Sequence, residues 1–358
     1  MSIIEHDGKV HNPLGGASYV FEEDLIGWLS KQLTKDKIRI SIGAQPNSSP
    51  HFGTLTVFLL AFALAEKVKL TANKDTEVLF EVIDTAPAES KTIDGVRYQL
   101  SLRDTGIADK FLVQYVSLLD KLKSLTNVSY TLRKQSDFNN QITIPEILKQ
   151  IATHKDTLAR ILDPANEKLR MRVACQKCGL TDKHSIKTII EPSGVKSFCP
   201  EHGWFETLYE NSSLFEYNTP LRNLIRAIAY SKDNLSEATN YGWVRVTGSD
   251  YAGFYQEQML YKPASILGHK ASELPVILYA PLITDWSGAK LSKSLYVKHG
   301  AYQYLPSYVV NYEHFLDKFG ERGVEKLFNE VKLWLEQPYR LFRSYSVYYF
   351  MDLFDNGE

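Results

Sequence analysis

The sequence predicts an α/β protein built on a parallel sheet, and three observations predict it. Short apolar runs alternate with helix-period segments from about residue 37 to 165. A second set of strand and helix resumes after about residue 211. Turns carrying Gly, Pro or Asp close several of the apolar runs. Strand–helix alternation brings each strand back in the same direction, which makes a parallel sheet with its ligand at the carboxyl edge. The 358 residues, 44% hydrophobic and 23% charged, suffice for a sizeable core and about two domains.

Taken in order, Arg39–Gly43 reads as a buried strand running into a turn rich in Pro and Ser. A helix begins near Gly53, with Leu55, Phe58, Leu59 and Phe62 at helical spacing. Glu77–Thr85 reads as the second parallel strand, ending at Asp84. Leu100–Leu125 reads as a long helix, Val128–Leu132 as a strand and Pro145–Leu162 as another helix. Thr219-Pro220-Leu221 opens a helix through Tyr230, with Thr219 as its cap. Val244–Tyr251 reads as a strand ending in a Gly-x-Asp turn, followed by a helix-like stretch from Phe254 to Tyr261. An apolar run from Leu274 to Ile283 leads through a Trp286-Ser287-Gly288-Ala289 turn to a lysine-bearing loop. Beyond about residue 301 the chain reads as helical, and its Tyr339, Phe342, Tyr345, Tyr348, Tyr349 and Phe350 read as core packing. The expected units are 1–165, 166–210, 211–300 and 301–358: the first half of the sheet domain, an insertion, the second half, and a helical tail.

Two peptides carry the candidate chemistry. Pro46-Asn47-Ser48-Ser49-Pro50-His51-Phe52-Gly53-Thr54 sits between a strand and a helix N-terminus, where free backbone N–H groups and the helix dipole favour anions. Lys290-Leu291-Ser292-Lys293-Ser294 places two ammonium groups and two hydroxyls on one loop, which suits a pyrophosphate leaving group. The plain alternatives are a capped turn and a solvated lysine loop. At Gly248-Ser249-Asp250 a carboxylate can accept from both ribose hydroxyls, and the alternative is an ordinary turn. Asp84 is either a partner for a substrate ammonium group or a cap for the next segment.

A metal site is expected in the insertion. Cys175-x2-Cys178 and Cys199-x2-His202 contain all 3 cysteines of the chain at zinc-ribbon spacing, with Gly179 and Gly203 following each pair. A disulfide would strand one Cys, and His184 is a spare candidate ligand that fits the spacing less well than His202. Four protein ligands make a structural zinc.

The formal net charge is −1, but Lys121–Ile190 carries 13 Lys and Arg against 6 Asp and Glu, while residues 301–358 carry 6 against 9. Any RNA contact is therefore expected near the insertion rather than the tail. No apolar run reaches membrane-spanning length and the first residues lack signal character, so no membrane contact and a cytoplasmic location are expected.

Together the motifs resemble the HIGH and KMSKS signatures of class I aminoacyl-tRNA synthetases, standing here as His51-Phe52-Gly53-Thr54 and Lys290-Leu291-Ser292-Lys293-Ser294. The lead-in Gly43-Ala44-Gln45-Pro46 and the Gly248-x-Asp250 turn also resemble elements of that family. Thr54 departs from the usual final His, and Asn47-Ser48 from the usual Ser/Thr-Gly. The resemblance covers about residues 37–300 and is nearest the class I lysyl type, on the zinc insertion and on Thr219-Pro220-Leu221-Arg222. It implies a Rossmann-like nucleotidyltransferase core of the HUP type. The implied reaction is ATP- and Mg2+-dependent activation of an amino acid, lysine being expected, and transfer to the tRNA 3′ end. His51, Thr54, Lys290 and Lys293 would be catalytic. Gly43, Pro46, Gly53, Gly248, Asp250, Ser292 and Ser294 would hold ATP, and Asp84 the amino acid. Only 64 residues follow Ser294, less than the family's long anticodon-binding domain needs. That leaves two further readings, a relative that charges a non-tRNA acceptor and a non-enzymatic RNA-binding protein.

Overall fold

The computed structural model describes residues 25–235, 241–253, 255–292, 295 and 302–355. The segment Leu25–Gln32 (α1) precedes β1 (Lys37–Ala44), α2 (Phe52–Ala72) and β2 (Asp75–Val82). Next come β3 (Pro87–Ile93), β4 (Val96–Ser101), α3 (Ile107–Thr126) and β5 (Ser129–Lys134). Helices α4 (Gln135–Asn139), α5 (Ile144–Thr153) and α6 (Lys155–Leu162) lead into the insertion strands β6 (Met171–Val173), β7 (Thr181–Asp182), β8 (Thr188–Ile190), β9 (Gly194–Cys199), β10 (Gly203–Leu208) and β11 (Phe215–Tyr217). Helix α7 (Thr219–Leu235) then feeds β12 (Tyr241–Gly248), a π-helical turn Tyr255–Tyr261 and β13 (Val276–Ala280).

The central sheet has five strands in the order β13-β12-β1-β2-β5, all parallel. The chain moves outward from β1 through β2 to β5, then returns to lay β12 and β13 on the other side. Strand order therefore reverses between β1 and β12. Crossovers leave such a junction in opposite directions, opening a crevice outside its carboxyl ends.

The alternation of β1 sorts the two faces. Ile38, Ile40 and Ile42 are fully buried against α2. Helix α2 is in turn covered by the helix Tyr312–Glu336, which accounts for apolar residues around most of its circumference. Phe52, at its first turn, packs on Tyr308, Phe315, Phe350 and Phe354. The C-terminal aromatics thus join the main core as expected, with Tyr345 and Phe350 fully buried, although Tyr348 is 41% exposed. The opposite face carries Arg39, Ser41 and Gly43 of β1 and is covered by α5 and α7, with Tyr230 stacked on Trp243 at 3.7 Å between centroids.

Two sequence expectations change. The helix expected over Leu100–Leu125 begins only at Ile107, after Gly106 in the left-handed region, and Leu100 belongs to β4. The hairpin β3–β4, not foreseen, turns at Asp94-Gly95 with φ of 49° and 74°, as a tight hairpin turn requires. The helix expected over Pro145–Leu162 is two, broken at His154. Among the described residues no helix is long and apolar enough to cross a membrane.

Candidate active site and metal centre

One cleft of about 730 Å3 opens at the carboxyl edge of the sheet, at the strand-order reversal. It is lined from the first peptide by His51, Gly53 and Thr54, from β1 by Gly43, from β12 by Gly248 and Asp250, and from the lysine loop by Lys290 and Ser292. Residues far apart in sequence meet there because β1 and β12 are neighbours and both end at this edge.

Helix α2 presents its N-terminus to the cleft. His51 is the N-cap residue, extended at φ −102° and ψ 170°, and its carbonyl accepts from the N–H groups of Thr54 and Leu55 at 2.8 and 2.9 Å. Its imidazole lies over Gly53, where an added Cβ would stand 2.9 Å from Cε1. Ser49 ties the preceding loop to the C-terminal region by accepting from the Tyr312 N–H at 2.8 Å.

The lysine loop stands on a short hairpin stem. The Leu291 N–H donates to Ile283 O, and the Asp285 N–H to Ala289 O, both at 2.8 Å. Gly288 supplies the left-handed turn residue at φ 79°, and Asp285 accepts from the Ser287 N–H and hydroxyl. Leu291, 2% exposed, plugs into the core and thereby turns its neighbours Lys290 and Ser292 to the cleft. Lys290 Nζ forms an ion pair with Asp250, which joins the loop to the end of β12. Gly248 permits the Asp250 carboxylate to fold back, since a Cβ there would lie 2.5 Å from Oδ1. Lys293 and Ser294 lie outside the described residues.

Pro46 and Asp84 are the two proposed ATP or amino-acid contacts, among the described residues, that are not part of the cleft lining. Asp84 is 2% exposed, and its carboxylate accepts from the Ser136 N–H at 3.1 Å and from the Ser136 hydroxyl, at the start of α4. Conversely, sequence reasoning missed Arg97 and Lys183, which the β3–β4 hairpin and its partner β7 carry to the cleft rim. The Asp94-Gly95 turn was the available signal for that hairpin.

In the insertion, the donor atoms of Cys175, Cys178, Cys199 and His202 all lie within 4.8 Å of one another. Cys178 Sγ is 3.5 Å from Cys199 Sγ, and His202 Nδ1 is 3.6 and 3.5 Å from the sulfurs of Cys175 and Cys199. Ligands about 2.0–2.3 Å from a tetrahedral Zn2+ stand roughly 3.5–3.8 Å apart, so this donor set fits that ion. Gly179 and Gly203 follow each pair with φ of 76° and 74°, and the Gly179 N–H donates back to Cys175 O at 2.7 Å. His184 is not in the cluster and lies against Arg170, 3.0 Å from its guanidinium.

No family model matches the chain, and no curated protein matches it. Several solved structures are similar in outline. Tyrosyl-tRNA synthetase from Archaeoglobus fulgidus, solved with L-tyrosine, is 12% identical over 94% of this chain and 95% of its own, with a TM-score of 0.40. Glutamate-tRNA synthetase from Elizabethkingia anophelis is 11% identical over 86% of this chain, at a TM-score of 0.40. A Campylobacter jejuni structure described as an arginyl-tRNA synthetase is 11% identical over 82%, at 0.36. This chain spans 66% and 63% of the last two. Likeness at such scores is one of outline and says nothing about the chemistry of the cleft.

Proposed function

We propose that this protein activates an amino acid with ATP. A carboxylate oxygen of the amino acid attacks the α-phosphorus, the bond from that phosphorus to the bridging oxygen breaks, and the products are aminoacyl-adenylate and pyrophosphate. One observation carries the reading: a single cleft gathers the N-terminus of α2, the Gly248–Asp250 turn and the lysine loop. In this reading the α2 N-terminus, with His51 and Thr54, receives the phosphates, assisted by Gly53, Ser292 and Ser294. Asp250 holds the ribose, and Gly43 lets the nucleotide lie close to β1. Lys290 exchanges its partner Asp250 for the phosphates and, with Lys293, neutralises the charge that grows on the leaving pyrophosphate. Mg2+ accompanies ATP. The Cys3His site holds a structural Zn2+, because four protein ligands leave no open position.

The acceptor proposed is the 3′ end of tRNA, to which the aminoacyl group passes as an ester. The alternative is transfer to a different acceptor. Lysine, the amino acid the resemblance implies, has no side-chain partner assigned among Glu81, which pairs with Arg133 and Arg226, and Asp84, which accepts from Ser136.

ATP–pyrophosphate exchange with each of the twenty amino acids tests the reading. Lys290→Ala and Lys293→Ala should each lower exchange about 100-fold while amino-acid binding persists. Undiminished exchange in both variants removes the lysines from the chemistry. Charging of bulk tRNA separates the two acceptors.

A further inference from the structure

The sheet face beneath α7 carries an imbalance of charge at its carboxyl end. Arg245 of β12 lies opposite Ser41, Glu81 of β2 opposite Gly43, and Arg133 of β5 opposite Glu81. Residues of one face alternate along a strand, so these side chains form a row. Helix α7 lays Arg222, Arg226 and Tyr230 over it at four-residue spacing. Glu81, fully buried, accepts from Arg133 at 2.6 Å, stands 3.5 Å from Arg226, and accepts from the Tyr230 hydroxyl. No carboxylate whose side chain is described pairs with the other two arginines. Arg222 donates to Thr219 Oγ1 at 3.3 Å, and Arg245 to Ser41 Oγ at 2.8 Å. The Nε atoms of Arg222, Arg226 and Arg245 and one terminal nitrogen of Arg226 are buried without a hydrogen-bond partner among the described residues.

Arg222 is 7% exposed and Arg226 3%. Burial pushes the Arg222 pKa down to about 9, and the nearby Arg226 and Arg245 charges act in the same direction. Guanidinium groups held this way await an anion, because buried charge is retained where it is paired.

The position of the cluster says which anion. Helix α7 runs towards the amino end of β12, so its first turn, with Arg222, lies at the carboxyl edge where the cleft opens. Gly43 lines that cleft, and an added Cβ there would stand 3.1 Å from a terminal nitrogen of Arg245. The glycine thus lets the Arg245 guanidinium pack against the backbone of the cleft floor. Tyr251, which also lines the cleft, is among the groups acting on Arg222. A planar carboxylate matches the fork of a guanidinium, and phosphates have their own place at the N-terminus of α2.

We propose that the amino acid activated here bears a carboxylate side chain, held by Arg222 and Arg245 over the bare floor at Gly43. The inference rests on the activation reading above and names its substrate class.

The test is ATP–pyrophosphate exchange with L-aspartate and L-glutamate against L-asparagine, L-glutamine and L-lysine. One acidic amino acid should exceed its own amide about 100-fold in kcat/KM, because the amide leaves buried donors mispaired. Arg222→Gln and Arg245→Gln should raise its KM at least about 10-fold with a smaller change in kcat. Exchange with neutral or basic amino acids alone overturns the inference. So does an acidic substrate whose KM is untouched in both variants. If no amino acid supports exchange, the activation reading falls, and calorimetry decides separately. Binding of aspartate or glutamate that Arg222→Gln abolishes sustains the anion site. No binding of either removes it.

Discussion

Replacing Glu81 by Gln isolates the energetic role of the one carboxylate in the arginine row. Burial opposes its ionisation, yet the Arg226 and Arg133 charges, with hydrogen bonds from Arg133 and Tyr230, outweigh burial and hold its pKa at about 2 against an ordinary 4.5. A depression of that size corresponds to about 3 kcal/mol of folded-state stability at neutral pH. Removing one partner of a buried pair costs about 3–5 kcal/mol by the same physics. The sign follows from the direction of the shift. The stabilisation is complete above the unfolded pKa near 4.5 and is lost as pH falls through the folded pKa near 2. Urea unfolding of the wild type and Glu81→Gln should therefore differ by about 3–5 kcal/mol at pH 7. The gap should shrink by about 2 kcal/mol on going from pH 7 to pH 3. A gap below about 1 kcal/mol at pH 7, or one that does not change with pH, would refute the assignment of Glu81 as the ionised hub.

Two further outcomes are expected at the cleft and the insertion. Gly248→Ala places a methyl 2.5 Å from Asp250 Oδ1 and must swing that carboxylate away. We expect KM for ATP to rise about 10- to 100-fold with amino-acid KM nearly unchanged, and equal changes in both would detach Asp250 from the nucleotide. Cys178→Ser should lose the bound Zn2+ measured by elemental analysis, which in the wild type should be one ion per chain, and should expose the β8–β10 hairpins to protease. Full metal content in the variant would show that Cys178 is not a ligand.

The features that could be read from the sequence are those whose cause is local. Arg39–Gly43 announces a strand because alternate isoleucines must be buried, and His51 marks a helix start because α2 becomes continuously apolar just after it. The stem of the lysine loop was readable at Ser287-Gly288, where only a left-handed residue closes the turn. The Cys3His site was readable because ligand spacing and a following glycine are both properties of a few consecutive residues. Hairpin β3–β4 was missed for the opposite reason. Its Glu89, Ser90 and Lys91 are exposed and polar, so no apolar alternation reports it, and β7, its partner from the insertion, lies about 80 residues further on.

The arginine row marks the limit of such reading. Along the chain, Arg133, Arg222, Arg226 and Arg245 are ordinary charged positions, and α7 alone reads as an amphipathic helix with a basic face. Arg222 and Arg226 become buried, and Arg133 and Arg245 partly so, only when β5, α7 and β12, separated by long stretches of sequence, close on the same sheet face. Charge then changes meaning. On a surface an unpaired arginine needs no account, but under α7 two of them lack a carboxylate among the described side chains while Glu81 already serves two others. Without a ligand, no carboxylate whose side chain is described offsets the desolvation cost of these two guanidinium groups. An anion arriving from the cleft offsets it. Binding and folding would then draw on the same electrostatics, and the acidic substrate should itself stabilise the protein against urea.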